Sequence, residues 1–263
     1  MALALSKTKI ESELTTRFGD IFKLNKPRFA EVISTGIPEV DALTRGLPRG
    51  AITEIFGPAS SGRTSLMLSS LAYATTHDEV CALVDASDTL DPKTAAQAGV
   101  DFEQLLWIRC AASVEHAFKA TDLLLQGGGF GLVMLDLGDM PAQQARRIIS
   151  SWWYRFRRIV ENKPTALVVI AQDSCVRSCA SLALAMSKED DLWTSVNGSP
   201  SPDSRCSITH SQRLKAGFKS PLPDCSYLVS GPYLLRGIQL QLNRQKPIQL
   251  AGRETQFRAK ASV

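Results

Sequence analysis

At 263 residues, with 44% hydrophobic and 21% charged residues, the chain can bury one large core or two small ones, and its mixture excludes a disordered or fibrous protein. A formal net charge of +4 permits an anionic partner without requiring one. No run approaches the ~18 apolar residues that a membrane span needs, and the opening MALALSKTKIESEL has no apolar leader core, so a cytoplasmic protein without membrane contact is expected. The six cysteines follow no CxxC spacing and read as free thiols of a reducing compartment. A zinc site from Cys175, Cys179, Cys206 and Cys225 is the weaker alternative, resting on one i, i+4 pair.

Residues 5–18 have helical spacing, with Ile10, Leu14 and Phe18 on one stripe. Gly19 stops that helix, and DIFKL, containing Ile21, can form a short strand. This 1–30 element either caps the core or docks on a neighbouring subunit. A loop-rich lead-in through GIPEVDAL and GLPRG follows. Beyond it, residues 31–250 alternate apolar strands with helices: ITEIF, then a helix to about residue 76, VCALV, 92–98, 105–108, 113–126, LVML, 141–162 and TALVVI. Strands buried on both faces and separated by helices predict an α/β fold with a mostly parallel central sheet flanked by helices. Asp85, Asp136 and Gln172 end three strands and should gather on the carboxyl edge of that sheet. The glycine run at 127–131 precedes a strand rather than following one, so it reads as a turn. SLALAM is expected to be a strand, 187–232 a loop-rich insertion, LLRGIQLQLN a half-buried strand, and 251–263 a frayed basic tail.

ITEIF feeds Gly57, Pro58, Ala59, Ser60, Ser61, Gly62, Arg63, Thr64 and Ser65, and a helix begins there. Strand, glycine-rich turn and helix N-terminus form a phosphate-binding P-loop, whose backbone N–H groups face an anion. Arg63 stands where the usual lysine would be, and Thr64 where a hydroxyl would hold Mg²⁺.

Along this register ISTGIPEVDALTRGLPRGAITEIFGPASSGRTS, LVDASDTLDPKTAAQAGVDFEQLLW, LVMLD and VVIAQ resemble bacterial RecA recombinase in order and spacing, from about residue 10 to 172. The resemblance implies a RecA-like P-loop fold with a small N-terminal helix–strand element for docking. It also implies ATP on the loop, Mg²⁺ held by Thr64 and Asp136, Gln172 sensing the terminal phosphate, and Asp91 near the base. Three residues depart from the pattern. Arg63 replaces a compact ammonium with a longer forked guanidinium. Ser87 stands at the glutamate that activates water, and a serine of ordinary acidity cannot take that proton near neutrality. Asp88 beside it should face the other way. Thr94 replaces a tyrosine that stacks on adenine. ATP binding therefore stays open while efficient hydrolysis is not expected.

The two DNA-contacting loops of the family shrink here to LGDM and DSCVRSCA, and the chain leaves no room for the family's C-terminal domain. Arg244 and Lys246 faintly echo a pair with which a family subunit reaches its neighbour's site, or simply end a solvated strand. A shortened, degraded relative of this kind resembles the ImuA-type accessory proteins of bacterial mutagenesis cassettes. That resemblance implies a role in SOS-type translesion synthesis, with RecA, an inactive Y-family polymerase relative and an error-prone replicative polymerase as partners. The alternatives are a DNA-dependent ATPase or recombination mediator, and a DNA-binding module. The last rests on helix 141–162. Its apolar arc packs on the sheet, with Trp153 at the margin. Its other arc carries Arg146, Arg147, Arg155, Arg157 and Arg158 against Glu161 alone, either as a solvated face or as a surface for single-stranded DNA or an acidic partner.

Overall fold

The structure, a computed structural model, describes residues 31–140, 150–195, 233–247 and 253–260. Met1–Glu31 separates as its own unit from Val32–Val263, and the sheets and helices below all belong to the second. The expected docking residues Ile10, Leu14, Phe18 and Ile21 lie outside the described residues, as do Arg146, Arg147, Cys206 and Cys225.

Two short strands, β1 (Val32–Ile33) and β2 (Leu47–Pro48), pair antiparallel. Between them the expected loop is instead a helix, α1 (Pro38–Thr44). Pro38 presets its first turn, Glu39 and Asp41 suit the positive end of the helix dipole, and Val40 and Leu43 turn inward. Two turns of helix were too short to show as periodicity.

The main sheet has eight strands in the order β10, β9, β8, β3, β7, β6, β4, β5. Here β3 is Ala51–Phe56, β4 Cys81–Asp85, β5 Leu105–Arg109, β6 Leu132–Asp136, β7 Ala166–Ala171, β8 Leu182–Ser195, β9 Tyr233–Lys246 and β10 Glu254–Lys260. All pairs from β8 to β5 are parallel, and β8, β9 and β10 pair antiparallel. Helices α2 (Arg63–Thr75), α3 (Pro92–Gln97), α4 (Val114–Gly127) and α5 (Ser150–Val160) connect the parallel strands. The mostly parallel α/β sheet read from the strand alternation is thus the observed architecture.

Alternate residues of each parallel strand point to opposite faces. Ile55 and Met134 join Leu66, Leu71, Val40 and Leu43 in one core, under α2 and α1. Ile52, Val133 and Leu135 join Phe118, Trp153, Phe156 and Val160 in the other, under α4 and α5. Trp153, expected at a margin, is only 2% exposed. It packs with Phe118 at a 5.0 Å centroid distance.

The C-terminal part differs most from expectation. The strand at SLALAM does not stop at residue 186 but runs on to Ser195, so the first residues of the expected loop-rich insertion are strand. Its polar continuation is carried by pairing with β9, with register shifts at Lys188/Asp190 and Leu192/Trp193 that bend it. The tail is not frayed over 254–260: it pairs with β9 and inserts Phe257 into the core.

Candidate nucleotide site

The loop between β3 and α2 has the backbone the cradle requires. Gly62 at φ 85 caps α2 without any side-chain hydrogen bond, which leaves the first N–H groups of the helix to face a ligand. Close packing explains both glycines. A Cβ on Gly57 would strike the Met186 carbonyl, and one on Gly62 the Leu240 side chain. The Ser61 hydroxyl is buried inside the loop without a hydrogen-bond partner. Thr64 and Ser65 lie at the helix start, beyond Pro58, Ala59 and Ser60 of the loop.

One concavity adjoins the loop and another runs along α2. The first, about 460 Å³, is lined by Phe56, Gly57, Gln172, Asp173 and Met186. The other, about 640 Å³, is lined by Ser65, Leu68, Thr94, Gln97 and Phe257. Gln172 adjoins the loop through its backbone carbonyl, which accepts the Gly57 N–H at 3.1 Å. Asp91, expected near a base, serves as the N-cap of α3, accepting from the N–H and hydroxyl of Thr94.

Strand-end carboxylates gather beside the loop, Asp85 and Asp136 being register partners on β4 and β6. Asp85 is engaged as a turn organiser, accepting from the N–H groups of Ser87, Thr89 and Leu90. Ser87 is therefore placed by Asp85 and brings only a hydroxyl. Asp88, with φ 58, pairs with Arg109 at 3.4 Å on β5 and extends its side chain towards that strand.

Arg63 does not extend towards the loop's mouth. It is 7% exposed, and its Nη1 donates to the Gly138 carbonyl at 3.1 Å. The N–H of the same Gly138 donates to Asp136 Oδ1 at 2.7 Å. One residue thus bridges guanidinium and carboxylate. A Cβ on Gly138 would lie 2.9 Å from Asp136 Oδ1 and 3.0 Å from Arg63 Nη1. Burial lowers the pKa of Arg63 from its ordinary value, while Asp136 and Asp139 raise it. Burial likewise pushes the Asp136 carboxyl up to about 6, with the Gly138 N–H pulling it down, Asp85 and Asp139 raising it, and Arg63 lowering it. An arginine remains protonated under such a shift, so a fixed positive charge sits among these acids. The cradle fits a phosphate by its glycines, helix N-terminus and unsatisfied hydroxyl. The acids do not fit Mg²⁺ equally well, because a cation is already there.

Residues 2–148 match the RecA N-terminal domain family. The chain belongs to the RecA family. It is 33% identical over 189 residues to Protein RecA of Ectopseudomonas oleovorans, a match covering 65% of this chain and 53% of that protein. The chain therefore spans about half the length of that relative. A crystal structure of the RadB recombinase superposes with a TM-score of 0.51 at 17% identity, covering 61% of this chain and 86% of the other, which is a likeness of fold.

The arginine face of α5 is less open than its sequence implies. Arg155 forms a two-pronged ion pair with Asp122 of α4, Nε to Oδ1 and Nη2 to Oδ2, both at 2.6 Å. Arg157 and Arg158 remain exposed. Arg244 is turned into its own fold, 3% exposed and donating to the Leu43 carbonyl, and Lys246 donates to the Arg177 carbonyl. Cys175 and Cys179 are free thiols, and no group of metal-binding side chains occurs among the described residues.

Sequence reasoning missed Glu54. It is fully buried in mid-β3 and accepts from Ser174 Oγ at 2.9 Å, Cys175 N at 2.5 Å and Val176 N at 2.7 Å. An acid inside the apolar run ITEIF was the available clue, since such a group must find buried donors. Glu54 pins the short segment after Gln172 to the P-loop strand.

Proposed function

We propose that this RecA-family protein is an accessory factor that binds nucleotide without turning it over and works by docking on partner proteins. The observation that carries this reading is the inward turn of Arg63 onto Gly138 beside Asp136, with Ser87 at the position where a base would be needed. A guanidinium engaged there is not free to follow charge developing on a terminal phosphate, and a hydroxyl of ordinary acidity does not activate water. The segment 173–180 is short and held by Glu54, so it is not a long mobile DNA-tracking loop. The resemblance to ImuA-type proteins supports a role for such a factor in SOS-type DNA damage tolerance and error-prone translesion synthesis. Its partners there would be RecA, an inactive Y-family polymerase relative and an error-prone replicative polymerase, with the 1–30 element as the docking segment.

The test is ATP turnover with and without single-stranded DNA, beside Thr64→Ala, together with capture of RecA by the full chain and by a variant lacking residues 1–24. The expected result is no turnover above Thr64→Ala, and RecA capture that the deletion abolishes. DNA-stimulated turnover that Thr64→Ala removes would put the recombinase-type ATPase reading first. Gln172 beside the loop, at the end of the strand next to β3, favours that second reading.

A further inference from the structure

We propose that the Arg63 guanidinium is the resident cation of this site and keeps a divalent metal off Asp136. Three features of the molecule lead there. The Arg63 side chain is almost wholly buried although it begins at the first residue of α2, where a longer reach to solvent was available. Its contact is not with the loop's own backbone but with Gly138, two residues past the end of β6. The other side of Gly138 is held by Asp136, whose Oδ1 is thereby already occupied by an N–H donor.

A hard divalent ion needs several oxygens at short range and carboxylate charge to offset its dehydration. At the end of β6, among the described residues, that charge comes from Asp136, Asp139 and the neighbouring Asp85. The first two interact electrostatically with Arg63, and Asp85 is engaged by the N–H groups of Ser87, Thr89 and Leu90. A divalent ion brought to Asp136 would meet a fixed positive charge a few ångströms away in a partly desolvated place, where like-charge repulsion is large. Thr64 at the start of α2 can supply one neutral oxygen, which does not compensate. Part of the negative charge at this edge is thus offset from within the chain. A phosphate ligand entering the cradle would find a cation already placed behind the loop and would need no metal to accompany it. This last step rests on the nucleotide-binding part of the function proposed above. The metal exclusion does not, so its test uses no nucleotide.

The experiment is Mn²⁺ alone titrated into the full chain, read by water-proton relaxation, for wild type, Arg63→Ala, Arg63→Gln, and each of these with Asp136→Asn. The quantity of interest is the part of Mn²⁺ binding that Asp136→Asn removes. The expected outcome is none in wild type and a clear component in Arg63→Ala, with an affinity gain of about tenfold or more from removing one adjacent positive charge. Arg63→Gln, which is neutral and keeps much of the side chain's bulk, should show the same component and covers the case in which the alanine variant does not fold. Asp136-dependent Mn²⁺ binding by wild type would overturn the proposal. So would its absence from both Arg63 variants, because Arg63 would then not be what excludes the metal.

Discussion

A carboxyl group in the middle of a central strand is costly to bury unless donors converge on it, and Glu54 is met by two backbone N–H groups and one hydroxyl. Its neighbours feel it: burial, then Glu54 itself, raises the Cys175 thiol well above its ordinary value, keeping that sulfur protonated and inert. Glu54→Ala would strand the Cys175 and Val176 N–H groups, with a cost of about 1–3 kcal/mol for each group left unsatisfied. Glu54→Gln keeps an acceptor oxygen and should cost about 1–2 kcal/mol. Urea unfolding measures both, and amide exchange at Cys175 and Val176 separates a local from a global effect. If exchange there stays as slow in Glu54→Ala as in wild type, Glu54 is not the anchor. Arg63 was visible in the sequence as a substitution, but its direction was not. That depends on Gly138, 75 residues away, lacking a Cβ between it and Asp136.

On the scale of elements, α4 and α5 form the layer that covers one face of the sheet. Phe118 stacks on Phe156 at 5.5 Å and meets Trp152 and Trp153 edge-on. Periodicity predicted the apolar face of α5 correctly, because a helix on a sheet must bury one stripe. It could not show that Asp122 of α4 supplies the acid missing from α5's own arginine arc, since helical spacing says nothing about a neighbouring helix. The Arg155 side chain is 54% exposed and Asp122 11%, so solvent screening limits the pair. A double-mutant cycle of Arg155→Ala and Asp122→Ala should give a coupling of about 1 kcal/mol. Arg157→Glu with Arg158→Glu should leave stability within about 0.5 kcal/mol of wild type. Any role of α5 in binding single-stranded DNA therefore belongs to this second pair. Reversal of Arg157 and Arg158 that leaves a salt-sensitive DNA affinity unchanged would remove the helix from that role.

Across the whole molecule, the parallel half of the sheet was legible because its strands are short apolar runs ending in Asp85, Asp136 and Gln172, a pattern that burial on both faces imposes. The antiparallel half was not. The outer part of β8 is polar, β10 alternates over only seven residues, and both acquire their structure from β9 rather than from their own composition. This half also closes on the P-loop, with Leu240 of β9 against Gly62 and the Met186 carbonyl of β8 against Gly57. The loop's conformation is consequently a property of chain segments almost 180 residues apart, and the cradle and the C-terminal hairpin should unfold together. Gly62→Ala tests this. At φ 85 an added Cβ costs about 1 kcal/mol in backbone strain alone, and its collision with Leu240 adds about 1–3 kcal/mol. In a Leu240→Ala background only the strain remains, so the two substitutions should be coupled by about 1–2 kcal/mol in urea unfolding. Additivity within about 0.5 kcal/mol would mean that the hairpin does not bear on the loop, and that the glycine is kept for its backbone angle alone.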